Sequence, residues 1–343
     1  MKMQTKVVMI YCAMTTMVAF ALKRDQAYMD ARVNGAQAKL VLMIVDDVGV
    51  PISGADIDVF MGMNFNANGY HLKGGSDSNG VFVAEGKTCG NEINVNVAKA
   101  GFYGSHKTFR FAEMGSEHEV IDGKWQPYGQ VEPIVLRDIR CPIKMPGELF
   151  WKFKYTKSIN KWIGYDIEEN DFVAPDGGGK VADFDVYIDW DGEWLPKYKG
   201  MSVRVRFSEP FCGYYEQRIN ETSDFKYPYE ALPDLIDGTE AVFFERISDG
   251  GLREQKNFDK MKCWVVRSRC KVSDDGRLLQ ANYAVIHDIV FTCKSGGYGG
   301  FCITGAFNPT PNDRNLEWDM KNNLCEKPLR LDYEPINVRH REP

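Results

Sequence analysis

The chain has 343 residues, of which 44% are hydrophobic, 26% charged and 13% aromatic, with 32 Gly and 15 Pro. These fractions are those of a folded soluble protein and exclude a disordered chain, a collagen-like repeat and a polytopic membrane protein. The formal charge is −6 and no basic block occurs, so the electrostatic footprint of a nucleic-acid binder is missing.

The first predicted element is an export signal. Lys2 and Lys6 form a positive start, residues 7–20 carry no charge and are mostly apolar, and Ala19-Phe20-Ala21 fits small-x-small cleavage. The charged run Lys23-Arg24-Asp25 follows at once. This pattern predicts a signal peptide over residues 1–21 and a mature start near Leu22. The apolar run is shorter than the ~20 residues of a membrane span, so no span is expected after cleavage. Tyr11 stands where a lipidated Cys12 would need a small neighbour. Cleavage removes two lysines, taking the charge from −6 to −8, and one of nine cysteines. An even cysteine number behind an export signal reads as an oxidising compartment with disulfides: periplasm, cell surface or exterior. The pairing of Cys89, Cys141, Cys212, Cys263, Cys270 and Cys325 is left open.

Residues 22–39 form an N-terminal segment, and residues 40–137 read as a β-sandwich. Ala55, Ile57, Val59 and Met61 alternate with Asp56, Asp58 and Phe60. Ile93, Val95 and Val97 alternate with Asn94 and Asn96, and Phe109 and Phe111 with Thr108 and Arg110. Period two puts one row in a core and the other in water. Leu40 to Val45 is apolar on both rows, as a central strand is. Asp46-Asp47-Val48-Gly49 and Asp77-Ser78-Asn79-Gly80 are turns in which Gly supplies positive φ.

A resemblance follows from these residues. Val45 to Ala55, then Asp77 to Phe82, then Ile93 to Val97 with Lys99-Ala100-Gly101-Phe102, resemble in order the carboxypeptidase regulatory-like domain. That resemblance implies a transthyretin/Ig-like seven-stranded sandwich acting as a non-catalytic module outside the cytoplasm. Some relatives carry a Lys–Asn isopeptide bond; no such Lys, Asn and acid align here, so none is expected.

Residues 138–148, with Cys141-Pro142-Ile143-Lys144-Met145-Pro146, form a linker to a second β domain over 149–335. Strand-like runs lie at about 149–155, 183–190, 201–208, 241–247, 261–272, 281–293 and 301–307. Residues 165–180 and 223–238 read as loops. Short strands without alternating helices predict a larger antiparallel β-sandwich or barrel, so the whole fold is expected to be all-β. Asn308 to Asn315 closes the core as a loop; with Cys141 to Met145 it resembles uncharacterised secreted bacterial proteins. Residues 336–343 are a polar tail.

Candidate chemistry is sparse. From Asp183 to Asp191, Phe184, Val186, Ile188 and Trp190 share one face, and the aspartates share the other with Tyr187. Such a carboxylate row suits a Ca²⁺ site or a general acid–base pair, drawn from Asp185, Asp189 and Glu193 or from Asp166 to Asp171. Arg204 and Arg206, opposite Val203, Val205 and Phe207, favour a third reading: an ion-paired sheet face in which Asp185 and Asp189 meet Arg204 and Arg206. Trp125, Trp190, Trp194 and Trp318 flank Gly, Pro or Asp and are candidates for an exposed glycan platform. The alternative for them is core packing.

Gly177-Gly178-Gly179-Lys180 lacks the earlier Gly of a phosphate loop, and His118-Glu119 lacks the second His of a zincin. No Gly-x-Ser-x-Gly and no Cys-x-x-Cys occur, so no metal or cofactor is expected. Asn220-Glu221-Thr222 is a glycosylation acceptor by pattern only. A two-residue Gly297-Tyr298 turn would pair Cys293 with Cys302 across a hairpin, which predicts a disulfide between them. The expected function is non-catalytic binding or support outside the cytoplasm, with a protein or glycan partner. The alternative is a carbohydrate-active or other hydrolase using a carboxylate pair of the second domain.

Overall fold

The computed structural model describes residues 26–62, 69–111, 120–190, 199–234, 236–247 and 253–319. The export segment, Asp191, Glu193, Trp194, Cys325 and the polar tail lie outside them. The chain forms two compact units, Met1–Ile139 with Asn220–Lys226, and Arg140–Ile219 with Tyr227–Pro343. The regular structure of the described residues is strand apart from one α-helix, as the alternation predicts.

Unit 1 opens with a helix over residues 26–34, which no apolar period announced. It is held by Ala31, which is buried, and by Tyr28, whose ring meets Trp125 edge-on at 5.8 Å. The strands are β1 (Ala36–Val45), β2 (Asp56–Gly62), β3 (Gly69–Gly75), β4 (Val81–Thr88), β5 (Glu92–Ala98), β6 (Ser105–Arg110), β7 (Val120–Ile121), β8 (Lys124–Trp125) and β9 (Gln130–Val135). One sheet runs β4-β1-β8-β7, with β9 also on β1; the other runs β3-β2-β5-β6. Among the described residues nine strands, two of them two-residue pieces, stand where the resemblance implied seven.

The core lies between these sheets. Ala38, Leu40, Leu42 and Ile44 of β1 face Ile57, Val59 and Met61 of β2 and Ile93, Val95 and Val97 of β5. Each such side chain contributes roughly 1.5–3 kcal/mol on burial. Two like turns join the layers. The Asp46 carboxylate accepts from the N–H groups of Val48 (3.0 Å) and Val50 (2.8 Å). Asp77 accepts from those of Asn79 (2.9 Å) and Val81 (2.8 Å). Gly49 and Gly80 close them at φ 86° and 73°, where a side chain would be strained.

Residues 220–226 complete unit 1 from a distance in sequence. Backbone N–H groups of His106 and Asp224 bond to the carbonyls of Thr222 and Gly104, both at 2.8 Å. Phe225 is fully buried, 5.1 Å from the Tyr103 ring and 4.8 Å from the Arg137 guanidinium, which also donates to the Phe225 carbonyl.

Unit 2 contains β10 (Gly147–Glu148), β11 (Lys154–Thr156), β12 (Trp162–Asp166), β13 (Asp171–Phe172), β14 (Phe184–Asp189), β15 (Gly200–Arg206), β16 (Gly213–Arg218), β17 (Glu240–Ile247), β18 (Arg253–Lys256), β19 (Lys262–Val272), β20 (Leu278–Lys294) and β21 (Tyr298–Asn308). Its sheets run β13-β12-β14-β15-β17-β18 and β10-β21-β20-β19-β16, the latter with β11 on β21. Neither closes into a barrel, and the antiparallel sandwich is the outcome of the two expected forms. Phe184, Val186, Ile188, Val203 and Val205 of the first sheet pack on Trp264, Val266, Ile286, Phe301 and Phe307 of the second. The segment over residues 165–180, read as a loop from its Gly, Pro and Asp, contains the end of β12 and all of β13.

Candidate functional site

The outer face of the first unit-2 sheet carries the chemistry. Alternation buries Ile163, Val186, Val203 and Phe243, so the residues between them point outward. The ladder places Trp162 opposite Tyr187, Tyr187 opposite Arg204, and Arg204 opposite Val242. This row crosses three interstrand gaps, about 14 Å. The Trp162 and Tyr187 rings meet at 5.4 Å and 62°. The Arg206 guanidinium lies 4.0 Å from the Trp162 ring centre, and that of Arg204 lies 4.2 Å from Tyr187. At the far edge Arg246 lies 4.3 Å from the Phe244 ring.

The two central arginines differ. Arg206 Nη2 donates to Asp185 Oδ2 at 3.0 Å, and the Ser208 hydroxyl donates to the same oxygen at 3.0 Å. Its Nε is buried with no hydrogen-bond partner. Arg204 is exposed and contacts the rings of Tyr187 and Trp162; among the described residues it has no ion pair or hydrogen bond. A guanidinium held flat by stacking keeps its N–H fork free for a carboxylate or sulfate. The rings beside it offer a rigid apolar surface with little entropy to lose.

The sequence expectations for this sheet hold in part. Phe184, Val186, Ile188 and Trp190 do share the buried face. Asp185 does pair with Arg206, but Asp189 faces Ser202 and Arg204 faces Tyr187, so the second ion pair is not made. Asp185 and Asp189 are four residues apart and Arg204 and Arg206 only two, so no single register can set both pairs opposite each other. Asp185 and Asp189 lie four residues apart on one flat strand, about 13 Å, beyond the ~5–9.5 Å of a glycosidase carboxyl pair. That geometry corrects the acid-pair expectation for these two; Glu193 lies outside the described residues.

The tryptophan platform is also corrected. Trp125 and Trp318 are 0% exposed and Trp190 is 2% exposed. Trp125 donates from Nε1 to the Thr88 carbonyl at 2.9 Å inside the unit-1 core. Turn residues beside a Trp mark a strand end but not the direction in which the indole points. Trp162, which sequence reasoning passed over, is the half-buried indole of the candidate face.

The predicted Cys293–Cys302 hairpin has another register. Lys294 pairs with Tyr298, Cys293 with Gly299 and Cys302 with Val290. Gly296 and Gly297, at φ 89° and 78°, lie within a three-residue turn in place of the expected two-residue one. The shift of three positions puts the cysteines on opposite faces of the sheet, so they are not bonded to each other.

Other acids named from sequence meet in one place. Arg269 donates to Asp183 (3.0 and 3.2 Å), Asp166 (2.9 Å) and Glu168 (2.6 Å). Asp166 is 1% exposed and also accepts from the N–H groups of Glu168, Glu169, Lys180 and Val181. Burial raises the Asp183 carboxyl above its ordinary value by more than the bonds from Arg269 and Ser268 lower it. Asp288 is likewise raised by burial, against a 3.0 Å bond from Trp151 Nε1. No local pattern marks Arg269 as the centre of this cluster, because its partners are 86–103 residues away.

Unit 1 has an open groove of about 690 Å³ between β2, β3, β5 and β6, lined in part by Asp58, Lys73, Asn96, His106 and Asp224. Burial raises the Asp58 carboxyl, but hydrogen bonds from His71 and Lys73 outweigh it and leave it below the ordinary value. The raised carboxyls Asp183 and Asp288 do not line this groove. Among the described residues no cluster of three or more His, Cys, Asp or Glu fits a metal ion.

No protein-family model matches the chain. No curated protein matches it. Among solved structures, 3-chlorocatechol 1,2-dioxygenase from Rhodococcus opacus 1CP is similar at 12% identity and TM-score 0.24, over 31% of this chain and 61% of that one. Catechol 1,2-dioxygenase from Acinetobacter radioresistens is similar at 13% identity and TM-score 0.25, over 32% of this chain and 54% of that one. This chain thus spans 54–61% of the length of these two enzymes. A DUF3823 family protein from Parabacteroides merdae ATCC 43184 is similar at 8% identity and TM-score 0.21, over 79% of this chain and 98% of that one. Neither an activity nor a family is carried over from likenesses of this size.

Proposed function

We propose that the chain is an exported, non-catalytic binding protein whose partner is an acidic glycan at the cell exterior. The observation that carries this reading is the row Trp162–Tyr187–Arg204, whose guanidinium lies over the Tyr187 ring and has no acid partner among the described residues. Ring surface suits the apolar face of a sugar, and the fork suits its carboxylate or sulfate. The site is a flat sheet face, whereas an acid–base enzyme gathers a raised carboxyl in a cleft. In this reading unit 1 is a module of the carboxypeptidase regulatory-like type, supported by its paired Asp-x-x-Gly turns and packed sheets. Export rests on residues 1–21, and N-terminal sequencing of secreted protein should find a start near Leu22. An intact Met1 in the cytoplasm defeats that part.

Affinity electrophoresis tests the binding. The full chain should be retarded in gels containing polygalacturonate, less so at raised salt, and not in a neutral glucan. Trp162→Ala and Arg204→Ala should each weaken retardation about tenfold, equivalent to ~1.4 kcal/mol. Equal migration of wild type and both variants in the acidic gel sinks the proposal. Stronger binding to poly-glutamate would transfer the face to an acidic protein segment.

A further inference from the structure

Two cysteines distant in sequence meet at the open end of the second unit-2 sheet. The β16–β19 ladder runs to Gly213 opposite Arg267, so Cys212 lies one residue beyond it. On β19 the register breaks after Ser268, and Arg269 takes φ 52°. Phe211, just before Cys212, takes φ 64°. Each cysteine therefore follows a non-glycine residue in the left-handed region, a conformation that persists only where neighbours enforce it. They do so here. Arg267 donates from Nε to the Phe211 carbonyl at 2.7 Å, and Arg269 is gripped by Asp166, Glu168 and Asp183. The result turns both side chains onto the same core. Cys212 is 4% exposed within it, and Cys270 is half-buried against it. The two thiols thus lie side by side at the edge of one core, near enough for each to bear on the other's acidity.

We propose that Cys212 and Cys270 are a redox site, a dithiol that a small-molecule disulfide such as oxidised glutathione converts to an intrachain disulfide. The half-exposed Cys270 sulfur bonds to one glutathione and the other leaves as a thiol. The Cys212 thiolate then attacks the Cys270 sulfur and displaces the second glutathione. Two hydrogens leave the protein and end on two glutathione thiols, so one disulfide is made for one consumed. Access sets the order of attack: Cys270, although its neighbour Cys212 raises its thiol, is the sulfur that glutathione can reach, and the lowered Cys212 thiol suits the resolving step. Two other thiols differ: burial raises Cys263 to about 12 and Cys302 to about 11. The bridge would close a loop containing all of β17 and β18 and tie the β16 end to the β19 bulge.

The full chain, equilibrated natively with oxidised and reduced glutathione, is alkylated, digested without reduction and mapped by mass. The expected product is one cross-linked peptide joining Cys212 and Cys270, two hydrogens lighter than its parts. The oxidised protein should melt roughly 5–10 °C above the same protein in dithiothreitol. Cys270→Ser should abolish both the cross-link and the dependence on reductant. Alkylation of both Cys212 and Cys270 after oxidation, or linkage of either to another cysteine, overturns the proposal. The wild-type map decides it even if the variant does not fold.

Discussion

Arg269 shows how a single residue can organise a unit. It stands in the left-handed region at φ 52° and satisfies acids from two other segments of the chain. Removing the guanidinium leaves Asp166 and Asp183 buried without their counter-charge, which costs far more than an exposed pair is worth. Arg269→Met should therefore destabilise unit 2 by about 3–5 kcal/mol, read from its urea transition. Arg204 is the contrast: exposed and stacked, its removal should change binding while leaving stability within about 1 kcal/mol. Asp58 provides the pH arm. Its folded-state value is depressed, so its contribution is complete above the ordinary carboxylate value and is lost as pH falls through the folded value. Asp58→Asn should make the loss of stability between pH ~4 and ~2 shallower than in wild type, measured by melting across that range. An unchanged slope would show that the His71 and Lys73 contacts carry no linkage.

The β20–β21 hairpin shows how far an element can be read from its own residues. Its strands are plain in the sequence, because Tyr283 to Cys293 and Phe301 to Phe307 are apolar and β-branched or aromatic. Its register is not, because Ser295 to Gly300 offers several Gly-rich turns of nearly equal local energy. The chosen turn is the one that puts Phe301, Ile303 and Phe307 in the core. A second feature follows from the bulge between Ile286 and Asp288, where Gly305 passes so close that a Cβ would lie 2.0 Å from the Val285 carbonyl oxygen. Gly305→Ala should cost roughly 1–3 kcal/mol through the backbone shift it forces, seen as a lower urea midpoint. The candidate face has a similar history. Its arginines and Tyr187 were legible as outward residues of alternating strands, but Trp162 was not. β12 is five residues long and carries Gly164, so no alternating run announced it.

For the whole molecule the decisive segment is residues 220–226, which belongs to unit 1 although unit 2 residues flank it on both sides. Phe225 fills a buried position between Tyr103 and Arg137, so residues up to 139 do not by themselves complete the unit-1 core. Phe225→Ala should destabilise unit 1 by about 3–5 kcal/mol. Calorimetry of the full chain, which separates the transitions of two units, should show one of them shifted down and the other unmoved. Movement of both together would mean that the units unfold as one.

What the sequence determined by itself is local. Period-two rows identify the strands and the side of each that is buried, because successive side chains on a pleated strand must point to opposite faces. The Asp-x-x-Gly turns follow for the same reason, since carboxylate, N–H groups and the positive-φ glycine lie within a few residues of each other. The tertiary structure alone decided which rows face one another across a ladder, which indoles are inside, and which cysteines and charges meet. Those outcomes depend on strand register and on the fill of a shared core. A shift of a few residues in a turn, or the demand of a distant Arg269 for three acids, changes them without altering any local pattern.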